Sequence, residues 1–330
     1  MNRRRFLLTS LAGAVAGPRT ARAQQAGKVP RVVLLCAVYC DVGLMQRSST
    51  GKTFLEALAR HGYEDGRNII IDERWAGVAF GALREKAMDL VRQQVHVILA
   101  VESVAAVQAA RAATSTIPII MVAVPDPEET GLVQSLRRPG RNITGLGLPY
   151  LSLAAKHIAL IRELLPTASR VGIFWNPDNP DHERLRAIVR GAAGTAGLES
   201  REFTVRRAHD IRPTFDVAVK WRPHGLILLD DAVLYRGEIW QMALTHRLPT
   251  VGLDAQVARA GGLMSYGPSR TEMYAQSAEF IDRILRGAPP AALPVQEPRK
   301  YELVISGAVA RALGLTIPPS LLAQADQVIE

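Results

Sequence analysis

The side chains best equipped to recognise a small molecule stand at the ends of apolar runs. Tyr39 and Asp41 follow a run at 32–38, Glu102 and Ser103 follow one at 95–101, and Asp126 follows one at 117–124. Further along, Asn176 and Asp178 follow 170–175, Asp230 and Asp231 follow 225–229, and Asp254 and Tyr266 close two shorter runs. Acids such as Glu102, Asp230 or Asp254 are suited to an ammonium group. Backbone N–H groups at helix starts near 48–50 and 103–105 are suited to a carboxylate. Tyr39, Trp175, Tyr235 or Tyr266 can cover a ring or an alkyl body. Each also has a plainer role: Trp175 as core, Asp126 and Asp178 as turn or cap residues beside Pro127 and Pro180, Tyr266 as packing at a hinge.

Signatures of catalysis are missing. Ser49-Thr50-Gly51-Lys52-Thr53 opens a helix as a phosphate-binding loop would, and the apolar run before Asp230 and Asp231 resembles a magnesium-holding strand. That loop needs a glycine where this chain has Gln46. Gly145-x-Gly147 lacks the third glycine of a dinucleotide turn. The seven histidines never fall at a metal-binding spacing, and no G-x-S-x-G elbow occurs. The expectation is therefore a non-enzymatic binding protein with no cofactor and no metal.

The elements that must position these side chains alternate. Expected strands at 32–38, 68–73, 95–101 and 117–124 are separated by helices at 53–60, 82–93 and 104–113, an order that makes right-handed βαβ units. After a short helical piece at 129–136, turn residues Pro139, Gly140 and Asn142 lead into 143–148, read as a crossing between lobes. The plan then repeats: helix 151–165, strand 170–175, helix 183–196, strand 200–205, helix 211–220, strand 225–229, helix 234–246. Gly62 and Gly197 stop corresponding helices. The tail carries a short strand at 262–267, a helix at 271–286, a proline-rich connector, a strand at 301–306 and a helix at 309–313. Such pieces cannot stand alone, so they must complete two sheets. The expected fold class is α/β, with two similar doubly wound, Rossmann-like lobes joined by a three-segment hinge. Lobe one spans 28–146 with 267–290 returning to it; lobe two spans 147–266 with 291–330.

The first residues concern the compartment. Arg3, Arg4 and Arg5 precede an apolar run to about Gly17, and Ala21-Arg22-Ala23 offers a cleavage site before Gln24. The run is short of the roughly 20 residues of a spanning helix. It resembles a twin-arginine export signal at 1–23, placing the mature chain in the periplasm. Its removal takes five arginines and no acid, so the balance falls from +9 to +4, 35 basic against 31 acidic residues. With no basic stripe interleaved with aromatics, no nucleic-acid partner is expected. Cys36 lies within the first strand and Cys40 beyond its end. A bridge would need the chain to turn back at Tyr39, and ordinary small side chains are the favoured reading.

Nine segments carry a resemblance: Arg-Arg-Arg-Phe at 3–6, Ala-Arg-Ala-Gln-Gln at 21–25, Gly62-Tyr-Glu-Asp-Gly-Arg-Asn68, Thr114-Ser-Thr-Ile-Pro-Ile119, Asp126-Pro127, Gly131-Leu-Val-Gln-Ser-Leu136, Pro139-Gly-Arg-Asn-Ile-Thr-Gly145, Gly261-Gly-Leu-Met-Ser-Tyr-Gly267 and Leu313-Gly-Leu-Thr-Ile-Pro-Pro-Ser320. Together they resemble the bacterial ABC-transporter substrate-binding proteins that include tryptophan- and tyrosine-binding members. The resemblance implies a type I periplasmic-binding-protein fold, a monomer that closes on a small-molecule ligand and delivers it to an ABC permease in the inner membrane. A ligand-sensing subunit for a membrane receptor would use the same closure. Three places depart from the family's habit: Tyr39-Cys-Asp-Val-Gly after the first strand, Val101-Glu102-Ser103 after the third, and Ser306 where Asn is usual. They leave room for a ligand other than an aromatic amino acid. The ligand-binding set expected from strand ends and resemblance is Tyr39, Asp41, Glu102, Ser103, Asp126, Asn176, Asp230, Asp254 and Tyr266.

Overall fold

The computed structural model describes residues 29–37, 47–76, 80–254 and 256–330. The expected signal at 1–23, Tyr39, Cys40 and Asp41 lie outside the described residues. Two sheets organise the rest. The first is wholly parallel, in the order β2 (Ile70–Trp75), β1 (Arg31–Cys36), β3 (Val97–Val101), β4 (Ile119–Pro125), β5 (Ile143–Leu148). β3 and β4 are apolar at every position, and β1 at every position after Arg31, because both faces are covered. Val32 and Leu34 pack with Phe54 and Leu58 of α1 (Ser49–Arg60), whereas Val33 and Leu35 pack with Leu83 and Leu90 of α2 (Ala82–Arg92) and Val107 of α3 (Val104–Ala113).

The second sheet has the order β12 (Gln327–Ile329), β11 (Tyr301–Ser306), β10 (Met264–Pro268), β9 (Thr250–Gly252), β8 (Gly225–Leu228), β6 (Arg170–Trp175), β7 (Glu199–Thr204). All its neighbours are parallel except β10 and β11. Between its strands run α4 (Tyr150–Leu164), α5 (His182–Thr195), α6 (Ile211–Trp221), α7 (Gly237–Thr245) and α8 (Gln256–Ala260). The long α9 (Arg270–Leu285) leaves this sheet and packs on α1 and β4 of the first. The chain then returns through β11, α10 (Gly307–Leu313), α11 (Pro319–Gln324) and β12.

Three expectations change. Residues 143–148 are a fifth strand of the first sheet, and the crossing comes just after, at Pro149. The register of β4 and β5 shifts between Met121 and Val124, and Ala123 takes a left-handed φ of 56°. Gly145 accommodates this: its φ is +126°, and a Cβ there would lie 2.2 Å from the Met121 carbonyl oxygen. The helical piece expected at 129–136 is a set of turns, because the N–H groups of Leu132 and Val133 both point back at the Pro127 carbonyl and Gly131 turns left-handed at +66°. Finally, Cys36 is disulfide-bonded, so the reading of it as an ordinary small side chain is corrected.

The lobes meet at three crossings: Pro149, Pro268 to Arg270, and the stretch leading to Tyr301. Before the third, the connector follows β5: Gln296 accepts from the Gly147 N–H and donates its own to Gly145, and Leu293 accepts from the Thr144 hydroxyl. His157 of α4 joins the first two crossings by donating Nε2–H to the Tyr266 carbonyl at 2.6 Å. Only 2% exposed, the imidazole is pushed down to about 4, by burial first, against the pull of that carbonyl. Its folded value lies below the unfolded one of about 6.5, so the unfolded chain takes the proton first as pH falls. The stability this group protects is complete above about pH 6.5 and is lost on the way down to about 4. With about 1.4 kcal/mol per unit, we expect roughly 3 kcal/mol to disappear across that window. Urea unfolding at pH 7 and pH 4 should show His157→Gln losing that much less than the wild type; equal losses would refute this role.

Candidate functional site

The carboxyl ends of the parallel strands of both sheets face one another, which is where open α/β sheets bind ligands. Glu102 follows β3 in a left-handed conformation, φ 59°. Such a backbone in a non-glycine side chain is uncommon and concentrates at functional sites. Asp230 follows β8 and Asp254 follows β9 on the opposite side. All three carboxylates converge on Arg270, whose Nη1 meets Glu102, Nη2 meets Asp230 and Nε meets Asp254. The guanidinium is 18% exposed and the Glu102 side chain 9%. Tyr274, one turn further along α9, donates its hydroxyl to Glu102 at 3.3 Å. Burial pushes the Glu102 carboxyl above its ordinary value; Arg270 pulls it back, while Asp230 and Asp254 add to the rise. Burial likewise holds the Tyr150, Tyr235 and Tyr274 hydroxyls far above theirs, so they stay neutral.

A second contact crosses the cleft at α3. Ser103 caps this helix, its hydroxyl accepting from the Ala106 N–H at 3.2 Å. The next two N–H groups, of Val104 and Ala105, point at Asp181 from the other lobe, at 3.0 and 3.2 Å. The helix start expected to hold a carboxylate therefore holds one of the chain's own. Burial raises the Asp181 carboxyl, and the Ser103 hydroxyl and these two N–H groups oppose that rise. The third contact lies at the rim, where Arg184 of α5 donates to Asp126 at 2.6 Å and Asp126 also accepts from the Tyr150 N–H at 2.8 Å. With Arg184 37% exposed, solvent screens this pair to about 0.5–1 kcal/mol. Arg184→Ala should therefore weaken solute affinity only about two- to fivefold, read by calorimetric titration; a hundredfold loss would show that the rim pair governs closure.

Other expected residues have supporting places. Asn176 is buried and donates to Asp231 at 3.3 Å, and its oxygen accepts from the Asp178 N–H. It shapes the 176–182 loop. Asn179, donating to Asp231 at 3.1 Å, lines the cavity between the lobes. Tyr266 stacks on Tyr301 at 5.9 Å with Lys156 over its ring. Trp175 is half-buried under the Arg186 guanidinium, 4.6 Å from the ring centroid. Asp178 pairs with Arg206 at the surface. His182 lines the cavity as a neutral imidazole, its Nδ1 accepting from the Asn176 N–H and its Nε2–H donating to the Asp230 carbonyl. Burial lowers its pKa.

Arg270, Asp181 and Tyr150 were missed from sequence. One signal for Arg270 exists. A cation in the first turn of a helix opposes the helix dipole, so an arginine opening α9 directly after β10 stands where local energetics do not favour it.

Two α/β lobes whose strand tips close on a common cleft have the type I periplasmic-binding-protein architecture. The chain belongs to the family described as ABC transporter substrate binding protein, whose sequence profile matches residues 40–329. It is 26% identical over 269 residues to a tyrosine-binding protein of Clostridioides difficile (strain R20291), covering 80% of this chain and 76% of the relative. Among solved structures, a conserved domain protein of Vibrio cholerae superposes with a TM-score of 0.81 at 26% identity, covering 91% of this chain and all of the other. An ABC domain in complex with L-Trp from Streptococcus pneumonia superposes with a TM-score of 0.80 at 24% identity, covering 92% and 100%. Family members are extracytoplasmic solute-binding proteins. Among the described residues no helix is long and apolar enough to cross a membrane.

Proposed function

We propose that this chain is the solute receptor of an ABC importer, exported by the signal at 1–23 and working in the periplasm. It captures a small amino-acid-like solute between its lobes and presents the closed form to a permease. The lobes that move divide at the three crossings, residues up to 148 with 270–300 on one side and 150–268 with 301–330 on the other, the connector at 293–296 riding on the edge of β5. The observation carrying this reading is the convergence of Glu102 from one side and Asp230 and Asp254 from the other on Arg270, which makes polar recognition and lobe closure one event. The relatives named for tyrosine and L-Trp support an amino-acid-like solute. In this reading the protein acts by binding alone, closure needing no bond made or broken.

Thermal unfolding of the mature protein against a panel of amino acids, amines and organic acids tests this. A solute at about 100 times its Kd adds roughly 2.7 kcal/mol to stability. A stabilising solute that also contracts the protein in X-ray scattering is the expected result; a panel that produces neither change would overturn it.

A further inference from the structure

The first turn of α3 satisfies its N–H groups in two different ways. Ala106 donates to the Ser103 hydroxyl and Val107 to the Ser103 carbonyl, both within the first lobe. Val104 and Ala105, whose N–H groups a helix leaves without intrahelical acceptors, donate across the cleft to Asp181, one to Oδ2 at 3.0 Å and the other to Oδ1 at 3.2 Å. Asp181 forgoes a local alternative. It stands at the N-cap of α5, where an aspartate ordinarily caps its own helix, and makes no such bond. The loop that presents it is braced from behind: the Asp181 N–H donates to the Asn179 side-chain oxygen, the Asn179 and Asn176 amides donate to one Asp231 oxygen, and the other accepts from the Val233 N–H. Asn176, Asn179 and Asp231 are all buried. The second lobe by itself therefore fixes the backbone from which this carboxylate reaches. Its position matters as much as its partners. Asp181, Pro125 and Leu185 line both the cavity between the lobes and an outer pocket at the rim, beside Gln108 and Arg184. The carboxylate and the start of α3 thus stand in the wall between the two spaces.

Resting on the solute-receptor reading above, we propose that Asp181 is the latch of the cleft: on closure its carboxylate caps α3 of the opposite lobe and seals the solute cavity toward the rim. The arrangement suits a contact that must form and break. With the lobes apart, the carboxylate and the two N–H groups are all hydrated, so opening leaves none of them unsatisfied. Closure exchanges that water for two charge-assisted hydrogen bonds, with the positive end of the α3 dipole adding to the attraction. Asp181 acts through the lobes, as a positioning residue.

Amide hydrogen exchange of the mature protein, read residue by residue without added solute, tests the latch. The Val104 and Ala105 amides should exchange about tenfold or more slowly than in an unfolded peptide, and Asp181→Ala should bring both to within about twofold of the unfolded rate. Asp181→Asn, which keeps one accepting oxygen, should fall between. Ala106 is the internal control: its acceptor is Ser103 of the same lobe, so its protection should not change. X-ray scattering of Asp181→Ala should show a larger radius of gyration than the wild type. Equal exchange of Val104 and Ala105 in the two proteins would overturn the proposal. Loss of protection at Ala106 alongside them would overturn it too, since α3 itself would then have frayed. None of these rates needs a solute: a silent solute panel would remove the receptor reading without touching them, and a failed latch would leave a positive panel standing.

Discussion

Replacing Arg270 with methionine is expected to open the cleft. In the closed form the change removes a cation shared by Glu102, Asp230 and Asp254. Stripping a buried charge of its partner costs about 3–5 kcal/mol. The protein can avoid most of that cost by separating the lobes and hydrating the acids, so the first sign should be a larger radius of gyration by X-ray scattering at pH 7. Acid should reverse it. The Glu102 carboxyl is held above its ordinary value by burial, so the closed form retains this proton better than a hydrated carboxyl does. Its contribution to closure is complete below about pH 4, the ordinary range for glutamate, and is lost as pH rises through the elevated value. The variant should therefore approach the wild-type dimensions toward pH 4. Adding Glu102→Gln, Asp230→Asn and Asp254→Asn to the variant should restore compactness at neutral pH, because uncharged amides no longer repel. Scattering profiles that coincide for wild type and Arg270→Met at pH 7 would show that the guanidinium does not hold the lobes together.

Gly267→Ala should be the most damaging single methyl in the second sheet. A Cβ at Gly267 would sit 1.9 Å from the Leu253 carbonyl oxygen and 3.0 Å from its carbonyl carbon. Those are backbone atoms, and no side-chain rotation relieves the clash. Gly267 pairs with Glu302 across the antiparallel β10–β11 ladder, so the strand can move away only by breaking register or by pushing residue 253 outward. Asp254 is the next residue, and the same push takes its carboxylate off Arg270. Overpacking of this kind costs about 1–3 kcal/mol and occasionally more; here we expect the upper end, with solute affinity falling alongside stability. Urea unfolding measures the first and titration the second. Gly194→Ala is the control: it lies inside α5 with nothing within 4 Å of its added methyl, and alanine there should stabilise by roughly 0.5–1 kcal/mol. If both substitutions behave alike, the close approach at residue 253 is not what reserves position 267 for glycine.

Much of this architecture was legible in the sequence because its signals are local. The runs that became β1, β3 and β4 are apolar without alternation, as strands covered on both faces must be, and Gly62 and Gly197 lie just beyond the ends of α1 and α5. The acids at Glu102, Asp230 and Asp254 were identifiable because each stands within two residues of a strand's end, and strand ends meet at the cleft. What escaped depends on partners distant along the chain. Arg270 is 168 residues from Glu102 and 40 from Asp230. Asp181 looked like an ordinary loop acid before α5, and only folding brings it to the α3 N–H groups, 77 and 76 residues away. β12 is three residues long, with no run to mark it; it exists because β11 offers it a parallel edge. The turns at 129–136 contain enough leucine and valine to suggest a helix, but Pro127 and Gly131 divert their hydrogen bonds.

The return of α9 to the first sheet has a consequence for how the polypeptide can be divided. Met273, Phe280 and Ile281 of α9 belong to the same apolar cluster as Phe54, Leu58, Val32 and Leu34. A fragment ending before residue 270 would carry all five strands of the first sheet and leave the oily face that α1 and α9 share only partly covered. Neither half can therefore be produced as a single uninterrupted piece, and during synthesis the amino-terminal half remains incomplete until α9 has been made.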